Sequence, residues 1–182
     1  MTSEPPDPSG GSGLVEPAAR SPDGAASANE LRGEPMFNTI LVPTDGTKLS
    51  QKAVAEAIDL AHLAGAKLVA VHVYPKFTTS PYGAFGPSDD EVEKAHVAYH
   101  KSAAQKLFAA IKKAADARSV ALETVLVQGN DIYKQLIGVA KKKKCDLICM
   151  ASHGRRGLSG LVLGSETQKV LTHSTIRVLV LR

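Results

Sequence analysis

From Met36 onward the sequence predicts an α/β domain, a parallel sheet with helices packed on both faces. Three observations predict it. Short, almost unbroken apolar runs such as Thr39 to Val42 and Asp146 to Met150 alternate with stretches whose apolar residues recur at three and four. Strands separated by helices at this spacing must pair in parallel through right-handed crossovers. The strands also lack polar alternates, as expected where both faces of the sheet are covered.

The elements follow in order. Thr39 to Val42 reads as a first buried strand running into the turn Pro43-Thr44-Asp45-Gly46. Ser50, Ala53, Val54, Ala57, Ile58 and Ala61 form one helical face that stops near Gly65, and Lys67 to Val73 is the second strand. Tyr74 to Ser88 is long for a connection and holds three prolines, two glycines, Phe77 and Phe85, so it is read as a candidate lid. A longer helix follows with Tyr99, Ala103, Leu107, Ile111 and Ala114 on one side, then Leu122 to Val127 as the third strand. Gly129-Asn130-Asp131 opens a helix through Ile132, Leu136, Ile137 and Ala140, ending in the lysines 141 to 144. Cations suit a helix C-terminus, so that run is assigned no site. Asp146 to Met150, a short helix from Ser165 to about Thr172, and Arg177 to Leu181 complete the domain.

Residues 1 to 35 are rich in Pro, Gly, Ser and Ala and show no periodic apolar face, so they are expected to form a disordered tail. A docking peptide around Leu31 is the alternative. The tail carries six acids against two arginines, which leaves the rest of a +4 chain at about +8. That charge is spread over several helices with few aromatic residues, so a small anion is the expected partner and nucleic acid is not. No apolar run is long enough for a membrane span and no secretory signal is read, so a cytoplasmic protein is expected. Cys145 and Cys149 are expected as buried thiols on one face of the fourth strand, too far apart to bridge, and no zinc site is expected.

A sheet of this kind binds ligands beyond the carboxyl ends of its strands, where the winding reverses. The segment Met150-Ala151-Ser152-His153-Gly154-Arg155-Arg156 through Gly164-Ser165 contains four glycines and ends at a helix N-terminus. Backbone N–H groups in such a setting suit a phosphate. Ser165 with Gln168 also reads as a capping box. Across the crevice, the Pro43 to Asp45 turn places a carboxylate where an exocyclic amine or ribose hydroxyl can donate to it. Asp45 is otherwise a cap or turn residue. Arg155 and Arg156 are candidate phosphate partners, and His153 is read as structural or ligand-facing. No catalytic constellation is seen, and the glycine spacings of a P-loop or a dinucleotide fold are absent.

Phe37 to Arg182 resembles the universal stress protein family throughout. Asn38 to Gly46 is similar to that family's first strand and its terminal aspartate, Val71-His72-Val73 to its second strand, and Ala151 to Ser165 to its nucleotide motif. That motif is Gly, two residues, Gly, nine residues, Gly, then Ser or Thr; here Gly154 and Gly164-Ser165 keep the spacing, while Ala151 stands at the first position. The resemblance implies an open, Rossmann-like five-stranded sheet of order 3-2-1-4-5 and a homodimer formed through Arg177 to Leu181. It implies ATP or AMP as ligand, with Mg²⁺ accompanying a triphosphate. Carried over residue by residue, Asp45 and Val73 contact adenine, Ala151 the ribose, and Gly154, Gly164, Ser165 and Glu166 the phosphates. Pro43, Thr44, Met150, His153 and Arg155 complete the expected lining.

Three functions are compatible with these residues: a nucleotide-binding regulatory module in stress survival, a nucleotide-free dimeric interaction protein favoured by Ala151, and a slow ATPase. The first is the expectation.

Overall fold

The strand β1 (Thr39–Pro43) lies at the centre of the sheet because Ile40, Leu41 and Val42 have no exposed surface at all, which requires neighbours on both edges and both faces. The computed structural model describes residues 35–78, 88–152 and 163–182. Among these, β1 is followed by α1 (Lys48–Ala64), β2 (Lys67–Tyr74), α2 (Asp89–Ala117), β3 (Leu122–Gln128), α3 (Ile132–Lys142), β4 (Leu147–Ala151), α4 (Ser165–His173) and β5 (Arg177–Leu181). The strands pair in the order β3-β2-β1-β4-β5, every pair parallel. The expected order is the observed one.

Alternation along the strands divides the core in two. Ile40, Val42, Leu68, Ala70, Leu147 and Cys149 face α1 and α2, where they meet Val54, Ala57, Ile58, Ile111 and Ala115. Leu41, Val69, Val71, Ile148 and Met150 face α3 and α4, where they meet Leu136, Ile137, Ala140 and Val170. The two helices that follow β1 and β2 thus cover one face, and the two that follow β3 and β4 cover the other. Between β1 and β4 the winding reverses.

The ends of the elements have local causes. Thr47 caps α1 by accepting the Ser50 N–H, and Gly65 ends it at φ 65°, a left-handed conformation that an L side chain resists. Ser88 and Glu91 form a capping box at the start of α2. Asp146, expected as the first residue of the fourth strand, lies just before β4 instead. Its carboxylate accepts the backbone N–H groups of Asn38 at 2.7 Å and Thr39 at 3.2 Å, fastening the entry to β1.

Three expectations need correction. The buried face of α2 is Ala104, Ile111 and Ala115, with Leu107 and Phe108 partly buried, while Tyr99 is 70% exposed. Ala103 and Ala114 are exposed as well. The fully buried residues of this 29-residue helix lie in its second half, while the first half meets β2 through His96 and His100 against Tyr74, so periodicity taken through Tyr99 drifted one position off the buried stripe. Second, Cys145 precedes β4 and packs on the α3 and α4 side, whereas Cys149 points to the α1 and α2 side. The thiols are buried but do not share a face, because only one of them is on the strand. Third, Lys143 is not simply a solvated helix end: it pairs with Glu123 of β3, which also pairs with Lys67. The hydrogen bonds from Lys143 and then Lys67 hold the Glu123 carboxyl below its ordinary range.

The expected tail lies outside the described residues apart from Pro35, and so do positions 79–87 of the expected lid. No helix among the described residues is long and apolar enough to cross a membrane.

Candidate functional site

The carboxyl ends of β1 and β4, neighbours at the reversal of winding, define the crevice where a ligand of such a sheet binds. On the β1 side the chain passes its last pairing, Pro43 with Val71, and turns sharply. Thr44 donates its N–H to the Val71 carbonyl at 2.8 Å, and its own carbonyl accepts from His72 Nδ1 at 2.7 Å. The Thr44 hydroxyl lies 3.3 Å from the Ser50 hydroxyl and accepts the Gly46 N–H at 3.4 Å. Thr44 and His72 are both buried. Gly46 takes φ 80°, which completes the turn.

Asp45, in the same turn, is partly exposed. Its Oδ1 accepts the Thr47 N–H at 3.0 Å and the Thr47 hydroxyl at 2.7 Å, an Asx turn leading into α1. Of the two local roles expected for Asp45, the turn is the observed one; the cap is Thr47.

On the β4 side, Met150 is core, 5% exposed, and Ala151 is the last strand residue, partly exposed. The Ala151 carbonyl accepts the Thr167 hydroxyl at 3.0 Å, and the Ser152 carbonyl accepts the Gly164 N–H at 2.8 Å. Ser152 in turn donates its N–H to the Leu181 carbonyl at 2.7 Å. Both ends of the loop from β4 to α4 are therefore pinned to the end of the sheet. Its middle, with His153, Gly154 and Arg155, lies outside the described residues.

Gly164 is the N-cap of α4 and Ser165 its first helical residue, with no side-chain cap. The expected capping box of Ser165 with Gln168 is absent because the helix starts one residue earlier than that motif requires, which makes Ser165 the first helical residue instead of the cap. The backbone N–H groups of Ser165, Glu166 and Thr167 have no acceptor within α4, and the helix dipole adds partial positive charge at the same end. Glu166 turns its carboxylate toward α3, where Oε2 accepts the Tyr133 N–H at 3.0 Å and Oε1 pairs with Lys169 at 2.8 Å. That orientation couples two helix N-termini through one side chain. Val73, the remaining expected contact, is partly buried on the α3 and α4 side of β2.

A binding end rich in backbone donors thus lies next to a turn that presents a carboxylate acceptor. The donor set fits an anion and the acceptor fits an amine or hydroxyl. Sequence reasoning missed Thr47, His72, Ser152 and Thr167, whose signals were a Ser or Thr at a helix entry and single polar residues inside or just after apolar strands.

The sequence pattern that defines the universal stress protein family matches residues 36–182. The chain belongs to this family. A universal stress protein of Methanocaldococcus jannaschii is 30% identical over 150 residues, spanning 82% of this chain and 85% of that one. Universal stress protein YxiE of Bacillus subtilis is 33% identical over 150 residues, spanning 81% of this chain and all of that one (100%). The structure of the universal stress protein UspA from Lactobacillus plantarum is similar at a TM-score of 0.63 and 26% identity, covering 80% of this chain and 98% of that one. Two more distant structures share the fold. One is a universal stress protein in complex with cAMP, at TM-score 0.55 and 23% identity, with 80% and 97% covered. The other is the universal stress protein from Archaeoglobus fulgidus in complex with dAMP, at TM-score 0.54 and 17% identity, with 80% and 98% covered.

Proposed function

We propose that this universal stress protein is a regulatory module of the stress response that binds an adenine nucleotide, ATP or AMP, beyond the carboxyl ends of β1 and β4. The observation that carries the reading is the juxtaposition of the Asp45 turn with the α4 N-terminus at Gly164 to Glu166, on adjacent central strands. Asp45 and Val73 take the adenine, and Pro43, Thr44 and Met150 shape the floor beneath it. Ala151 meets the ribose, and the backbone at Gly154, Gly164, Ser165 and Glu166 receives the phosphates together with His153 and Arg155. The cAMP and dAMP carried by distant members of the family make the adenine ring the first occupant to test.

Mg²⁺ accompanies ATP in this reading and is held by phosphates and water. Among the described residues no group of three or more His, Cys, Asp or Glu side chains is placed to hold a metal ion. The protein acts as a homodimer through β5, an edge strand on which Leu179 is 39% exposed. The cytoplasm is the compartment proposed.

The test is calorimetric titration of ATP with Mg²⁺ into nucleotide-stripped protein and into a Gly154→Val variant, which blocks close approach of the backbone. Micromolar binding that the variant loses supports the proposal. Absence of binding in the unmodified protein favours a nucleotide-free dimeric interaction protein, the reading to which the Ala151 methyl group points.

A further inference from the structure

A buried histidine at the end of a central strand calls for a reason, since imidazole is costly to desolvate unless its nitrogens find partners. His72 is 8% exposed and lies on β2, on the side of the sheet that faces α1 and α2, continuing the line Leu68 and Ala70. Its Nδ1 is 2.7 Å from the Thr44 carbonyl oxygen. A carbonyl oxygen only accepts, so Nδ1 carries the proton and the tautomer is set by this contact.

The position of that carbonyl gives the contact its consequence. It belongs to the peptide group that joins Thr44 to Asp45, while the Thr44 N–H is held by Val71, the residue before His72. Consecutive residues of β2 therefore grip Thr44 from both ends of its backbone, beyond the point where regular pairing of β1 and β2 stops at Pro43. Gly46 on the far side of Asp45, at φ 80°, has no Cβ to restrict it. Without the imidazole, the peptide plane that aims Asp45 loses its β2 anchor next to a glycine.

We infer that His72 is a positioning residue: by donating Nδ1–H to the Thr44 carbonyl it fixes the direction of the Asp45 carboxylate and so sets the preference of the site for a base bearing an amino group. This rests on the nucleotide reading above. His72 touches no ligand in this scheme, and its influence passes through one peptide group.

The consequence is read as selectivity, which a general loss of stability does not alter. Dissociation constants are measured for AMP and for purine riboside 5′-monophosphate, which lacks the 6-amino group, in the unmodified protein and in His72→Leu and His72→Asn. The unmodified protein favours AMP by about tenfold or more, as a site built to pair with a polar ligand group does. His72→Leu fills the space without a donor, and the preference falls to about threefold or less. His72→Asn places an amide N–H near the Nδ1 position and restores most of it. Equal selectivity in the unmodified protein and the Leu variant overturns the inference even though AMP binds. Failure of the unmodified protein to bind AMP removes the nucleotide reading first and this inference with it. Nitrogen-15 spectra of the imidazole supply a check that needs no variant to fold: the Nδ1–H tautomer is expected, and an Nδ1 without a proton contradicts the contact on which the inference stands.

Discussion

The Thr167 hydroxyl donates to the Ala151 carbonyl across 3.0 Å, fastening the first turn of α4 to the end of β4. Thr167 is 3% exposed, and the bond it makes to the partly exposed Ala151 is part-buried. Thr167→Val keeps the shape but leaves the Ala151 carbonyl without this donor, and a loss of about 1–3 kcal/mol in unfolding free energy is expected. Urea denaturation measures it. In the same variant the α4 N-terminus is less firmly placed, and nucleotide affinity should fall with the stability; affinity unchanged at lower stability would mean that α4 needs no such anchor.

Glu166 offers a test of charge. Its carboxylate sits in the first turn of the helix proposed to receive phosphate, but it is directed to Tyr133 and Lys169. Glu166→Gln keeps an acceptor for the Tyr133 N–H and removes a negative charge, while the partly exposed ion pair it deletes is worth no more than about 1 kcal/mol. ATP affinity should therefore rise severalfold at low ionic strength, with the gain shrinking as salt is added. A fall in affinity would mean that the carboxylate itself contacts the ligand.

Asp146 gives a pH dependence whose sign can be worked out. Burial would raise its pKa, but the N–H groups of Asn38 and Thr39 outweigh that and hold the carboxyl below its ordinary value. A depressed native pKa contributes stability above the unfolded value of about 4, and that contribution disappears as pH falls through the native value. Asp146→Asn should cost about 1 kcal/mol at pH 7, and the gap from the unmodified protein should close below about pH 4. Thermal unfolding at the two pH values tests this; a gap that widens in acid contradicts it.

The cysteines should be inert while the protein is folded. Burial pushes the Cys149 thiol up to about 12, and burial followed by the Asp146 and Glu123 carboxylates pushes Cys145 up to about 11. At pH 8 the thiolate fraction of either is on the order of a thousandth or less, so alkylation by iodoacetamide should wait on unfolding. Rapid labelling of either cysteine in buffer would show that its burial is not maintained.

The strands β1, β2 and β4 could be read from sequence because burial on both faces leaves almost no polar residue in them, and β1 lies between the other two. For the candidate site the sequence offers only spacing along the chain: Asp45 closes an apolar run, and Gly154 to Ser165 keeps a fixed interval. Contacts across the sheet could not be read there. Thr44 and His72 are 28 residues apart, and Ala151 and Thr167 are 16 apart, so neither bond leaves a local pattern. The α2 stripe was misread for a related reason. Tyr99 carries an apolar ring at a helical interval, but in that half of the helix it is His96 and His100 that lie against Tyr74 of β2, while Tyr99 stays exposed.

The central claim is that an adenine nucleotide occupies the crevice between the β1 turn and the start of α4. Backbone amide spectra of isotopically labelled protein, recorded during titration with AMP, test it most directly. The account expects the largest shifts at Thr44, Asp45, Val73, Ala151, Ser165 and Glu166, all titrating with one dissociation constant. Shifts confined to other surfaces, or no shifts at millimolar AMP, would contradict it.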